Sequence, residues 1–376
     1  MPLIFSGINT KGSFGLVYTP PPPYTPPAYY LWSWGQNNYG QLGLGNTTDR
    51  SSPVQVGALT TWSSIDGGDS QTLALKTDGT MWSWGNNGSG RLGLGDTANR
   101  SSPVQIGALT TWSTISAGLY SSFAIKTDGT MWAWGPNGQG HLGLGNTTVY
   151  SSPKQIGSLT TWSKIKGGRL HTLAIKTDGT LWAWGNPNYG RLGLGNTTYY
   201  SSPKQVGALT SWLNIASGYG HSLATKTDGT LWAWGYNFFG YLGQGNTTNQ
   251  SSPVQIGALT NWLKITSGYS HVQAIKTDGT MWLWGYNGNG RLGDGTTTNK
   301  SSPVQVGALT TWLNIAAGYG HSLAIKTDGT VWSWGKNGYG QLGDGTTTDR
   351  SSPAQVGSLT NWANVAAGFN HTLAIG

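Results

Sequence analysis

Histidine is the side chain of this sequence best suited to proton transfer or metal ligation. Five of its six copies stand fifty residues apart, at His171, His221, His271, His321 and His371. The same column holds Gln71 and Ser121, which share hydrogen bonding with imidazole but not its basicity. A structural, hydrogen-bonding role is therefore expected, with His141 standing apart in a loop. Six aspartates (Asp78, Asp128, Asp178, Asp228, Asp278 and Asp328) recur inside Lys-Thr-Asp-Gly. Turn geometry explains them, and the ligand density of a calcium loop is missing. Gly88-x-Gly90-x-x-Gly93 has dinucleotide spacing, as do the runs from Gly138, Gly288 and Gly338. The residues after each run are Gly, Asp, Thr and Ser-Ser-Pro, not a helix that could face a pyrophosphate. Without Cys there is no thiolate ligand or Cys nucleophile. The expectation is no catalytic set, no cofactor and no metal.

The recurrence itself carries the information. Trp-x-Trp-Gly begins at Trp32, Trp82, Trp132, Trp182, Trp232, Trp282 and Trp332, and Ser-Ser-Pro repeats from Ser51 to Ser351. A fixed period of this size implies a propeller or solenoid. Gly numbers 60 of 376 residues, and all 13 acidic residues are Asp, a bias that points to strands and turns rather than helices. Within the unit 301–350, Trp312–Ala317 reads as strand A and His321–Lys326 as strand B. Thr327-Asp328-Gly329 makes a hairpin turn, since Asp-Gly accepts positive φ. Thr330–Gly335 reads as strand C, with Trp332 and Trp334 on one face. A Gly-rich loop then leads to strand D around Ala354 to Val356. The repeat opens in strand C at Tyr29 and stops after strand B at Gly376, so the two ends supply complementary halves of one blade. The prediction is an all-β, seven-bladed β-propeller of four-stranded antiparallel blades over residues 29–376, with the tryptophans packed between blades.

A net charge of +8 raises the question of nucleic acid. The basic residues are spread around the repeat instead of forming a phosphate-tracking stripe, so no nucleic-acid partner is expected. Residues 1–19 match no part of the repeat and lack the pattern of a secretory signal. They read as an N-terminal docking segment, with Leu3, Ile4, Phe5 and Phe14 as its apolar anchors. Residues 20–28 read as a Pro-rich polyproline II spacer. No window is long and apolar enough to span a bilayer, and membrane insertion is not expected.

The unit resembles the regulator-of-chromosome-condensation repeat family, over essentially all of residues 29–376. The matching residues are Gly318-x-x-His321-Ser-Leu-Ala, Asp328-Gly329, Trp332-x-Trp334-Gly335, Asn337 and Gly340-x-Leu342-Gly343-x-Gly345, with equivalents in other units. The resemblance implies a seven-bladed propeller. Its members act as nucleotide-exchange factors, enzyme inhibitors, ultraviolet sensors and adaptors, so fold alone does not fix function. The sensor's tryptophans beside Gly-x-x-His are replaced here by Asp69, Leu119, Arg169, Tyr219, Tyr269, Tyr319 and Phe369. Uniform units also leave no room for an inserted exchange wedge.

The units differ from one another in residues 69–71, 86–91 and 99–100 and their equivalents. In an up-and-down blade the A–B and C–D loops share one face of the disc. That face is expected to recognise a ligand, because Tyr among Asn, Ser and Gly gives contact area at small entropic cost. Its candidate residues are Tyr39, Tyr120, Tyr189, Tyr219, Tyr236, Phe239, Tyr241, Tyr269, Tyr286, Tyr319, Tyr339 and Phe369. The short leader, Pro-rich spacer and near-identical repeats resemble accessory proteins of environmental tailed phages. That implies a non-enzymatic virion protein, attached to capsid or tail through residues 1–19 and presenting the propeller to a host-surface glycan or protein. The alternative is a cellular or secreted lectin-like or protein-binding module, extracellular or cytoplasmic.

Overall fold

The computed structural model describes residues 29–376. The docking residues Leu3, Ile4, Phe5 and Phe14, and the spacer 20–28, lie outside the described residues. Strands alternate with Gly-rich turns as the repeat requires, giving seven four-stranded antiparallel sheets. In the blade expected over 301–350, strand A is Trp312–Ala317, strand B His321–Lys326, strand C Val331–Gly335 and strand D Arg350–Gln355.

Strand D starts four residues earlier than the pattern suggests. Ser333 faces Ala354 while Gly335 faces Arg350, so the ladder skips residues of strand D. Gly335 accommodates this at φ +100°, a conformation that side chains disfavour. Tyr150 and Tyr200, which strand D beginning at Ala354 and its equivalents would leave at the end of the C–D loop, consequently open strands.

The ring closes through its ends. Leu31–Gly35 pairs with His371–Ile375 from Leu31↔Ile375 to Gly35↔His371, completing a sheet with Asn364–Ala367 and Arg50–Gln55. Tyr30 N–H donates to the Gly376 carbonyl at 3.0 Å.

Apolar side chains collect between blades instead of within them. Phe123, Ile125, Met131 and Leu142 of one blade bury against Trp162, Ile165 and Trp184 of the next. The second indole of each Trp-x-Trp is also tied to the preceding blade: Trp184 Nε1 donates to the His141 carbonyl and Trp234 Nε1 to the Arg191 carbonyl. Strand A's tryptophan meets the Trp-x-Trp pair edge-on, as in Trp162–Trp182 at 5.8 Å and 79°. The repeated lysine completes the assembly, with Lys176 Nζ 3.8 Å from the Trp182 ring centroid.

This packing sets a test for two glycines that share a positive φ but not their surroundings. A Cβ on Gly293 (φ +70°) would sit 2.6 Å from Trp334 Nε1, whereas one on Gly57 (φ +61°) meets nothing within 4 Å. Gly57→Ala should cost about 1 kcal/mol, the backbone penalty alone. Gly293→Ala should cost at least ~2 kcal/mol more, since the indole must move off its carbonyl. Denaturant midpoints at equal slope measure both; equal losses would refute the interlock.

Candidate recognition face

The histidine column is sealed inside the ring and spent on joining blades. Strand B begins at His171, whose Nε2 lies 2.9 Å from Ser222 Oγ of the following blade. That hydroxyl donates to the Arg191 carbonyl at 2.8 Å, so it receives the imidazole proton and fixes the tautomer. His271 and His321 bond Ser322 and Thr372 in the same way. Val272 supplies no hydroxyl, and His221 turns to Ser267 Oγ at 2.8 Å instead. Gln71 serves the same role by donating to the Gly118 carbonyl. The glycine of Gly-x-x-His gives the ring its space: a Cβ on Gly168 would lie 2.8 Å from His171 Nδ1. Burial pushes His221 and His321 down to about 3 and His371 to about 4. His141, buried in its loop, is pushed down to about 4 as well. These imidazoles are closed to solvent.

The A–B and C–D loops share one face. Tyr236 N–H donates to the Gly220 carbonyl and Asn186 N–H to the Leu170 carbonyl, each linking the two loops of a blade. The B–C turns and D–A links share the other, where Thr77 N–H donates to the Thr61 carbonyl. At the centre of the loop face, second residues of A–B loops donate to the A–B loop of the following blade. Tyr219 N–H reaches the Tyr269 carbonyl, Tyr319 N–H the Phe369 carbonyl and Phe369 N–H the Gly68 carbonyl. These loops frame a central cavity of about 310 Å³, lined by strand A residues such as Ile115, Ile315 and Val365 and by Asp66, Lys166 and Arg169. Asp66 and Lys166 pair within it at 2.9 Å.

The candidate aromatics gather into two adjoining groups. Around the mouth, Tyr219–Tyr269 lie 4.4 Å apart, Tyr269–Tyr319 4.7 Å and Tyr319–Phe369 4.0 Å. Farther out, Tyr189–Tyr236, Phe238–Phe239 and Phe239–Tyr286 are separated by 4.5, 4.7 and 4.7 Å. Phe238 is 61% exposed and Tyr189 49% exposed, so this sector presents aromatic rings to solvent. Tyr39, Tyr120 and Tyr339 stand apart from both groups, Tyr120 near the Arg91 guanidinium. Tyr241 does not reach the surface. It is 5% exposed, stacked 5.0 Å from His221, and burial raises its hydroxyl well above the ordinary tyrosine range.

The aromatic pattern alone does not reveal the cations among these rings. Arg169 lies over Tyr219 at 4.4 Å and Arg291 over Tyr286 at 4.7 Å. Arg191 Nη1 donates to the Tyr219 carbonyl and Arg291 Nη1 to the Tyr319 carbonyl. Lys336 reaches over Tyr319. A signal exists: Arg191 and Arg291 share a repeat column with Gln41, His141 and Tyr241, and alternation between polar and basic residues there sets them apart.

The model of the regulator of chromosome condensation (RCC1) repeat matches seven consecutive stretches: 30–75, 78–125, 128–175, 178–225, 228–275, 278–325 and 328–375. The chain belongs to the RCC1 repeat family. Each RCC1 repeat starts near strand C of one blade and ends in strand B of the next, so every repeat joins two blades. Among solved structures, human WBSCR16 is 21% identical, with a TM-score of 0.83 over 93% of this chain and 99% of that one. Prp20p from Saccharomyces cerevisiae, described for its binding properties to Gsp1p and histones, is 23% identical. Its TM-score is 0.82, over 93% of this chain and 91% of its own. Yeast RCC1 (Prp20) bound by Kap60 gives 0.82 at 22% identity, over 93% of this chain and 89% of that one. At these identities the likeness is one of fold. No curated protein matches the chain.

Proposed function

We propose that this RCC1-repeat propeller is a non-enzymatic scaffold that binds a protein partner through its loop face. The observation that carries the reading is the contiguous aromatic sector from Tyr189 through Phe238 to Tyr286, held on C–D loops that are hydrogen-bonded at their bases to the A–B loops of their blades. Large, preorganised rings at an exposed surface favour binding because little side-chain freedom is lost. The histidines suited to acid–base work are buried and committed to neighbouring blades, which supports binding over catalysis. The partners named for Prp20p add support for a protein ligand.

The finer reading is attachment to a phage particle through residues 1–19, with the loop face turned outward. Its support is partly geometric: Tyr29, where the described residues begin, bridges Thr61 on the turn face, opposite the loops. One experiment addresses both levels. The full chain, a chain lacking residues 1–27 and a Tyr189→Ala/Phe238→Ala/Tyr286→Ala variant are compared for particle attachment and partner capture. The truncation should lose attachment and keep capture; the triple variant should do the reverse, with its melting temperature unchanged. Undiminished capture by the triple variant would remove the loop-face proposal, and undiminished attachment by the truncation would remove the docking segment.

A further inference from the structure

The mouth of the loop face holds more positive charge than its carboxylates balance. All 13 aspartates lie between Asp49 and Asp349, within the described residues. Six occupy the turns on the opposite face, while Asp66 and Asp69 pair with Lys166 and Arg91. The other five belong to the outer stretches of the C–D loops, where Asp96, Asp294 and Asp344 pair with Arg100, Lys300 and Arg350. Among the described residues, Arg169, Arg191, Arg291 and Lys336 have no carboxylate oxygen in ion-pair contact. Arg291 approaches Asp349 only through Asn289, which accepts from the guanidinium and donates to the carboxylate. Arg191 and Arg291 are 3% and 2% exposed. Burying a cation without a counter-charge is costly, and here carbonyls and tyrosine rings offset only part of that cost. Such charges project their field into the open mouth above them, where water screens less.

We propose that this mouth binds an acidic peptide segment of the partner, its carboxylates over Arg169 and Lys336 and its apolar side chains against Tyr219, Tyr319 and Phe369. The inference rests on the loop face being the recognition surface and supplies the chemistry recognised there. A peptide fits better than an acidic glycan because the mouth rings lie against each other, Tyr319 and Phe369 at 4.0 Å and 25°. Sugar stacking needs open ring faces, whereas edges and hydroxyls suit peptide side chains. The cavity behind, about 310 Å³, also has room for a side chain rather than a chain of sugars.

The test uses fluorescence anisotropy with a labelled peptide, Glu-Glu-Phe-Glu-Glu-Leu-Glu-Glu, its Gln-for-Glu counterpart and an oligogalacturonate. The Glu peptide should bind about tenfold or more tightly than the Gln peptide, with the difference shrinking as salt rises. Arg169→Gln/Lys336→Gln should weaken binding about tenfold, roughly 1.4 kcal/mol. Lys154→Gln/Lys204→Gln, which removes equal charge from outer strands, should leave it unchanged. Absent binding, equal binding of the Gln peptide, or equal loss in the outer-strand variant would overturn the proposal. Preference for the oligogalacturonate would also overturn it, in favour of an acidic glycan. If the aromatic triple variant loses the natural partner while Arg169→Gln/Lys336→Gln retains it, the loop face stands and only its acidic specificity falls.

Discussion

At pH 5 the propeller should be less stable than at pH 7 by on the order of 10 kcal/mol, through histidine alone. All six imidazoles are held below the ordinary value by burial, with His171 and His271 pushed further by the Arg191 and Arg291 guanidiniums. An unfolded histidine takes up its proton near pH 6.5. The folded ones with assigned values do so only at about 3 to 4. Between those limits the unfolded chain binds protons that the native ring does not. Stability is therefore complete above pH 6.5 and drains away as the pH falls. At pH 5 His141, His221, His321 and His371 each contribute about 2 kcal/mol to the loss, and His171 and His271 act in the same direction. The sum is comparable with the whole stability of an ordinary domain. Denaturant midpoints between pH 7.5 and 5 measure the slope. His321→Gln, which installs the residue already used at Gln71, should remove that residue's share, about 2 kcal/mol of the loss at pH 5. Imidazole resonances of the native protein titrating near 6.5 would contradict the mechanism.

The repeat makes much of this architecture legible. One residue type at one phase does one job again and again, so seven Trp-x-Trp pairs, six Asp-Gly turns and the offset ends determine strand phase and closure together. Strand D escapes because its start is set by the jump in pairing at Gly335, a backbone event that leaves little trace in Arg-Ser-Ser-Pro. The site is harder to read for a different reason. Aromatic loop residues announce a face, but the rings that meet come from blades fifty residues apart, and only Tyr189 through Tyr286 form the exposed sector. Tyr241 looks equivalent to its neighbours in the chain, yet it occupies the column of the buried Arg191 and Arg291, and its ring lies inward on His221. The basic residues look dispersed along the chain. Closure brings Arg169, Arg191, Arg291 and Lys336 around one line of tyrosines.

Removing residues 362–376 should abolish cooperative folding, whereas moving the chain ends elsewhere in the ring should not. The truncated segment is a small part of the chain, but it carries Trp362, Val365, Leu373 and Ile375 and leaves Leu31 and Trp34 uncovered. Losing the burial of six large apolar side chains costs on the order of 10 kcal/mol, enough to exhaust a typical domain. The edge of Leu31–Gly35 that pairs with His371–Ile375 would be exposed as well. In a permuted chain every one of those contacts survives. Four residues, such as Thr77 to Thr80, separate strands B and C in other blades, and Gly376 and Tyr30 stand where Lys76 and Thr80 do. Joining Gly376 to Tyr30 through Thr-Asp-Gly recreates that turn, because the two residues already exchange backbone hydrogen bonds at 3.0 and 3.1 Å. New ends between Asp228 and Gly229 then open an exposed turn of another blade. Calorimetry should show one transition within a few degrees of the parent for the permuted chain and none for the truncated one. A cooperative truncated protein would mean that the blades stand without the ring, and an unfolded permutant would mean that closure needs more than the pairing of its ends.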